Sequence, residues 1–310
     1  MTKHVAVLMG GLSPEREVSF MTGKSVCEAL AKLGYKVSQV DPDRDIHNKL
    51  KELNPDVVFN ALHGTYGEDG VIPGILEMIG VPYTHSGVMA SAIGLNKSIT
   101  KSILREHNIR IPQGFEMSVV DLYQQLKAGK HPMEIPYVVK PVQQGSSVGV
   151  TIVLKEGDIA AATFSPENWH YGDTLIIEKY IPGKELSTCV VGDKAIGTLE
   201  LRPVSGFYDY TAKYTDGKTD HIYPAEVPAE IYKQSLEYAE AAHKCIGCRS
   251  VSRTDMRYDD KENLLYVLEI NTHPGFTSLS IVPDIAARNG MPFEQLVDKL
   301  VKEARCDIKS

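Results

Sequence analysis

At 310 residues, 43% hydrophobic and 24% charged, the chain is long enough for one to three ordinary globular domains with a sizeable core. Its formal net charge of −7 and pI near 5.8 argue against a nucleic-acid or anionic-membrane partner, which would need a broad basic face, but leave room for a local basic pocket. No apolar run reaches the ~20 residues that cross a bilayer, and Met1-Thr2-Lys3-His4 leads straight into a short apolar strand instead of a signal-peptide core, so a cytoplasmic protein is expected.

Val5 to Met9 reads as a buried strand. Gly10-Gly11-Leu12-Ser13-Pro14 breaks it and opens a helix, with Ser13 as cap and Pro14 in the first turn, that runs to Leu33 before Gly34. Lys36–Val40, Asp56–Asn60 and Val81–Thr84 are predicted as further strands, which makes a mainly parallel sheet with helices on both faces. A helical stretch follows over 87–108. Pro136–Pro141 and Val150–Leu154 are strands flanking the loop Gly145–Gly149, an order unlike the strand–turn–helix of a P-loop. Thr174–Glu178 is another strand. Glu185–Val191 and Ala195–Leu201 form a hairpin across Gly192-Asp193.

Arg202 to Pro224 is long, polar and irregular, with Tyr208, Tyr210 and Tyr214 in it; loops of this length inside compact domains usually serve function. A helix then buries Tyr232, Leu236, Ala239, Ala242 and Ile246 on one face. Ser250–Tyr258 and Leu264–Ile270 pair as strands across the turn 259–263, and the chain closes with two short helices. The cysteines (27, 189, 245, 248 and 306) are odd in number and scattered, which is no disulfide framework. Cys245-Ile246-Gly247-Cys248 has redox or metal spacing, but without a second pair it reads as small buried residues at a helix end.

The two late strands hold the main candidates for chemistry. Residues i and i+2 of a strand share a face, so Glu269 and Asn271 can converge with Asp255 on the partner strand. Two carboxylates and an amide make a hard oxygen set suited to magnesium. The plainer reading is a solvated sheet face, but Glu269 ends the apolar run 264–268, where a carboxylate needs a partner. Arg253, on the same face, suits a carboxylate or developing negative charge, or alternatively a salt bridge to the neighbouring acids. Lys140 ends an apolar strand and precedes Gly145-Ser146-Ser147-Val148-Gly149, whose small residues let backbone N–H groups approach phosphate. Glu178 to Glu185 is a strand end and turn able to meet an adenine edge and ribose, or a mere connector. Gly10-Gly11 with Glu15, and His63-Gly64 with Gly67-Glu68-Asp69-Gly70, follow strands, where open α/β sheets bind ligands.

Taken together, Gly10 to Ser19, His63-Gly64 with Gly67 to Gly70, Asn96-Lys97, Lys140-Pro141 with Gly145 to Gly149, Phe207 to Tyr214, Arg253 to Asp255 and Glu269 to Gly275 resemble, in order and spacing, the D-alanine–D-alanine ligase family of the ATP-grasp superfamily. The resemblance covers nearly the whole chain. It implies an α/β protein in which an N-terminal parallel-sheet domain (1–95) is followed by an ATP-grasp fold of two α+β subdomains (96–180 and 181–310), with ATP clamped between the last two. It implies that Lys97, Lys140, Ser147, Glu178, Lys179, Ile181, Glu185 and Lys213 line the ATP site, and that Asp255, Glu269 and Asn271 hold two Mg2+ ions, or Mn2+ in their place. Glu15, Ser146 and Tyr214 match a hydrogen-bonded trio. Glu15, His63, Ser280 and Ile281 match substrate positions, and Arg253 and the Gly275 N–H match an oxyanion hole.

The implied reaction joins two D-alanines through an acyl phosphate to give D-alanyl-D-alanine for peptidoglycan precursors, in a homodimeric enzyme. Tyr214 stands in a loop region where the related D-lactate-using ligases carry a histidine, which favours an amine nucleophile. The chain departs from the family pattern at Ser252 (commonly glycine), His273 (commonly small and polar) and Ile281 (commonly leucine). Competing readings are an ATP-grasp ligase making a depsipeptide or joining D-alanine to D-serine, and a catalytically silent ATP-binding module. The intact set Glu15, Arg253, Asp255, Glu269 and Asn271 opposes the silent module. A dehydrogenase fails for lack of G-x-G-x-x-G.

Overall fold

A computed structural model describes residues 2–203, 219–277 and 280–308. The first sheet is built from β1 (His4–Leu8), β2 (Lys36–Val40) and β3 (Val57–Asn60) in the order β2-β1-β3, all parallel. Side chains alternate across it, as period two demands. Val5 and Val7 join one core with Val26 and Leu30 of α1 (Arg16–Lys32), while Ala6 and Leu8 join the opposite core with Leu50 of α2 (Ile46–Leu53) and Leu76 of α3 (Val71–Ile79). The helix α1 begins later than expected. Ser13 and Glu15 form a turn in which the Glu15 N–H donates to Ser13 Oγ at 3.1 Å, and this leaves Glu15 at the helix entrance, beside the site.

Val81–Thr84 is not a fourth strand. Only Tyr83 bridges Val58, because Pro82 has no N–H to extend the ladder and offers only its carbonyl, to Val58 N at 2.8 Å. The helical stretch 87–108 is two helices, α4 (Val88–Leu95) and α5 (Lys97–Glu106). They part at Asn96, whose side chain caps α5 by accepting from Ile99 N at 3.1 Å.

A second, antiparallel sheet has the order β4-β7-β5-β6, from Gly114–Ser118, Thr174–Lys179, Tyr137–Pro141 and Thr151–Val153, with β5 and β6 numbered in chain order. One face packs on α6 (Val119–Lys127) through Leu122, Tyr137, Val139, Phe164 and Leu175. The third sheet, order β10-β9-β8-β11-β12, is antiparallel throughout. It comprises β8 (Lys184–Val191), β9 (Lys194–Pro203), β10 (Thr219–Ile222), β11 (Val251–Asp259) and β12 (Leu264–Asn271). The hairpin across Gly192-Asp193 and the pairing of the two late strands stand as expected. Helix α7 (Ala229–Ile246) covers one face through Ile231, Ala239, Ala242 and Ile246, and α8 (Ile281–Arg288) and α9 (Phe293–Glu303) join the core on the other. Within the expected irregular segment 202–224, Arg202 and Pro203 end β9 and Thr219–Ile222 form β10; residues 204–218, with Lys213 and Tyr214, lie outside the described residues.

Gly183 turns the chain from the second sheet into the third at φ +87°, and a Cβ there would lie 2.1 Å from the Tyr258 carbonyl oxygen. Both the left-handed backbone and a collision with immobile main chain oppose any side chain. Gly183→Ala is expected to lose about 3 kcal/mol or more of stability, read as a lower midpoint in chemical denaturation; a loss below about 1 kcal/mol would mean that the turn relaxes freely.

Candidate active site

The register of β11 and β12 sets Asp255 directly opposite Glu269 and Arg253 opposite Asn271. Arg253, Asp255 and Arg257 are half-buried on one face, while Met256 and Tyr258 point into the core under α7. Asp255 accepts from Arg253 Nε at 2.8 Å, from Arg253 Nη2 at 2.7 Å and from Ser187 Oγ at 2.6 Å. The salt-bridge alternative for Arg253 is therefore realised, in the bidentate geometry that guanidinium favours. Glu269 lies 3.4 Å from Lys97 Nζ, and Asn271 Oδ1 accepts from His273 N at 2.9 Å.

Three buried lysines face this strand pair or its neighbour. Lys140 on β5 forms an ion pair with Glu178 on β7, and Lys101 on α5 reaches the same carboxylate at 2.8 Å. Burial alone would raise the Glu178 pKa, but the two ammonium groups outweigh it and hold it below its ordinary value. Burial pulls Lys101 down to about 8 against the attraction of Glu178. Lys97 donates to the Gln144 carbonyl at 2.6 Å, which ties α5 to the start of the glycine–serine loop. Around Glu178 cations outnumber carboxylates, an environment that favours an anion.

A cavity of about 590 Å³ opens between the second and third sheets, lined by Lys140, Lys179 and Glu178 on one side and Ile181, Glu185, Asp255 and Glu269 on the other, with Ser147 at its edge. Its size is that of a nucleotide-scale ligand site. Arg257 braces the third-sheet wall, donating to the Ile181 carbonyl at 3.1 Å and pairing with Glu185 at 3.2 Å. A smaller cavity of about 100 Å³ adjoins it, lined by Glu15, His63, Ser146, Arg253, Gly275 and the Ser280–Ile281 start of α8. Lys97, Gln144 and Glu269 line both. Ser146 Oγ donates to Glu15 Oε2 at 2.5 Å, across the gap between the first domain and the loop. Ser146 and Ser147 both adopt left-handed φ, at 51° and 59°. Such strain costs on the order of 1 kcal/mol or more per residue and gathers where a loop is shaped for a ligand.

Beside the small cavity three histidines cluster. His63 Nδ1 lies 3.2 Å from Glu68 Oε1 and its Nε2 2.9 Å from Thr22 Oγ1. The His273 ring stands 3.9 Å from that of His85, centroid to centroid, and 6.1 Å from that of His63. Neither His273 nitrogen has a hydrogen-bond partner of good geometry among the described residues. Burial, opposed only partly by Glu68, lowers the His273 pKa to about 4, and burial with His273 as neighbour lowers that of His85 well below its ordinary value. Both pKa values lie below the ~6.5 of an unfolded histidine, so as pH falls through 6.5 the unfolded chain takes up protons that the folded chain refuses. Stability is expected to fall between about pH 6.5 and 4 for His273, by on the order of 2–3 kcal/mol for that residue. Denaturation midpoints from pH 7 to pH 4 should show a shallower slope in His273→Gln; an unchanged slope would remove His273 as a cause and leave the carboxylates and the other buried histidines.

Burial works against redox chemistry at the cysteine pair, whose thiols are both free. Burial pushes the Cys248 thiol up to about 12 and raises Cys245 too, so neither offers a thiolate near neutral pH.

Comparison with known proteins bears on the whole chain. Family models described as the D-ala D-ala ligase N-terminus and C-terminus match residues 38–86 and 94–302. The D-alanine–D-alanine ligase of Novosphingobium aromaticivorans is 49% identical, covering 98% of this chain and 97% of its own, and that of Wolbachia pipientis wMel is 47% identical over 98% and 95%. This chain belongs to the D-alanine–D-alanine ligase family. Among solved structures, the Bacillus anthracis D-alanine–D-alanine ligase complexed with ATP superposes with a TM-score of 0.80 at 29% identity, covering 97% of each chain. The VanG D-Ala:D-Ser ligase of Enterococcus faecalis gives 0.79 at 29% identity, covering 97% of this chain and 99% of that one. The parallel sheet followed by two antiparallel ones is the ATP-grasp architecture that the family implies.

Four site residues have no role of their own in the sequence reasoning, although Glu68 falls inside a motif named there. Lys101 follows Lys97 by one helical turn, so it faces the same way. Glu68 stands inside the His63 motif. Arg257 and Ser187 are each two residues from a named acid (Asp255 and Glu185) on the same strand face.

Proposed function

We propose that the chain joins two D-alanines at the expense of ATP, through an acyl phosphate, to give D-alanyl-D-alanine. The observation that carries this reading is the shared wall: a nucleotide-sized cavity and a small polar pocket meet at Lys97, Gln144 and Glu269. A carboxylate seated in the small pocket would thus lie beside phosphates seated in the large one, and proximity is the main thing such a transfer needs.

In this reading Lys97, Lys140, Lys179, Ser147, Ile181 and Glu185 hold ATP, with Lys213 from the segment outside the described residues. Glu178 serves by fixing Lys140 and Lys101. Glu15, kept in place by Ser146, with Tyr214 as third member of the trio, receives the first D-alanine's ammonium. The first carboxylate attacks the γ-phosphate, and the amine of the second D-alanine, held near His63, Ser280 and Ile281, attacks the acyl carbon. Arg253 and the Gly275 N–H meet the oxyanion. The donors Asp255, Glu269 and Asn271 are all oxygen, cross-strand neighbours on one face, and fit Mg2+ or Mn2+. Such ions would neutralise phosphate charge when bound.

The proposed domains are 1–95, 96–180 and 181–310, each with its own sheet, α5 packing across onto α7 and β12 of the third. A homodimer in the cytoplasm, supplying peptidoglycan precursor synthesis, completes the proposal. No helix among the described residues is long and apolar enough to cross a membrane.

The test is phosphate release from ATP with Mg2+, supplying D-alanine, L-alanine, D-lactate and D-serine separately and D-alanine paired with each. Release that requires D-alanine, with D-alanyl-D-alanine as product, is expected. A D-alanyl-D-serine or ester product in preference would replace the second substrate, and ATP binding without release under any condition would sink the ligase reading.

A further inference from the structure

We propose that His63, Glu68 and His273 form a binding site for one imidazole-seeking divalent ion such as Zn2+, distinct from the hard oxygen set of Asp255, Glu269 and Asn271. One ligand atom from each of the three lies within 4.8 Å of the others. A point therefore exists within about 2.8 Å of all three, against the ~2.0–2.2 Å of zinc to imidazole or carboxylate, so small side-chain rotations close the shell. His63 Nδ1 and Glu68 Oε1 already stand 3.2 Å apart, near the ~3.4 Å edge of a zinc tetrahedron.

The second, independent observation is His273 itself. It is 3% exposed and both its ring nitrogens are unpartnered among the described residues. A buried unsatisfied polar ring is costly, and a ligand with an open coordination position would relieve that cost. Coordination at His63 Nδ1 needs only the other neutral tautomer, with Nε2–H donating to Thr22 Oγ1 at 2.9 Å, so the threonine would hold the ring in the metal-bound form. Glu68 supplies the negative charge. The remaining position faces the small cavity, which His63 and Glu68 also line; three protein ligands and one open position is a common arrangement for zinc. Two imidazoles and one carboxylate favour zinc or cobalt over magnesium, which prefers oxygen alone.

The site is tested without turnover, so the outcome is independent of the ligase assignment. Co2+ is titrated into the full chain in excess Mg2+, which occupies the oxygen sites, and the visible spectrum is recorded. A single equivalent should produce the intense bands of low-coordinate cobalt, and Zn2+ should displace it. His273→Gln and Glu68→Gln should each weaken binding about tenfold or more, with the fold checked by thermal melting; Glu68→Gln carries the test if His273→Gln does not fold. Absence of the bands, or the same affinity in the folded variants as in the parent chain, overturns the site.

Discussion

Replacing Glu269 with glutamine is expected to lower kcat on the order of 10³-fold, about 4 kcal/mol of transition-state stabilisation. The change keeps the shape of the side chain and removes only its charge. Glu269 lies opposite Asp255 in the β11–β12 ladder, 3.4 Å from Lys97, and lines both cavities. No other acid lines both cavities among the described residues, so the charge lost is the one at the boundary between them. In the Glu269→Gln variant the Lys97 ammonium loses its nearest carboxylate, and the oxygen set for a divalent ion has one anion fewer. Raising Mg2+ or substituting Mn2+ should restore part of the rate, because a weakened ion site responds to mass action. The measurement is steady-state kinetics over a range of metal concentrations, with the denaturation midpoint as control. A kcat within tenfold of the parent, in a folded variant, would remove Glu269 from the reacting centre.

The legible parts of this molecule are those whose burial follows a period. Val5–Leu8 and the β11–β12 pair announced themselves as apolar runs or alternations, and the i, i+2 rule placed Glu269 and Asn271 on one face before any register was known. The turn at 259–263 folds the partner strand back, but counted from that turn Asp255 would face Leu268; a register shift between Asp255 and Met256 is what sets it opposite Glu269, and no pattern in the sequence announces that shift. By contrast β4 at Gly114–Ser118 is an edge strand with its middle residues exposed, and exposure erases the apolar signal that marks a strand. Val81–Thr84 carries an apolar signal, yet Pro82 takes away the hydrogen bond that would make it a strand.

Buried charge is the other blind spot. Lys101 and Glu178 look from sequence like any helix-surface lysine and strand-end acid. Their meaning comes from a partner 77 residues away in the chain, and no local pattern encodes that distance. Lys97 and Lys140 became legible only through the motifs around them, as did Glu15, whose bond to Ser146 spans 131 residues. His273 was visible as a departure from the family pattern, but its lack of partners is a property of the packing between His63 and His85, not of the strand that leads into it. Lys213 and Tyr214 belong to the part of the expected site outside the described residues.

Arg253→Ala is expected to lower kcat and kcat/KM for the second D-alanine alike, by about 10²–10³-fold, as loss of one oxyanion donor does elsewhere. The KM for ATP should change little, because Arg253 lines the small cavity and not the large one. That separation distinguishes a role at the acyl carbon from an indirect effect through Asp255. The guanidinium donates twice to Asp255, so its removal also strips that carboxylate of both bonds while the one from Ser187 stays in place. If holding Asp255 were the whole role of Arg253, the loss would fall on metal and ATP affinity, and raised Mg2+ would repair it. If the arginine meets the oxyanion, metal repairs nothing and Arg253→Lys recovers only part of the rate, since a single ammonium cannot keep the two-pronged contact with Asp255 and reach the substrate as well. Kinetics of both variants at low and high Mg2+ decide between these, and rescue of Arg253→Ala by Mg2+ alone would withdraw the arginine from the oxyanion hole.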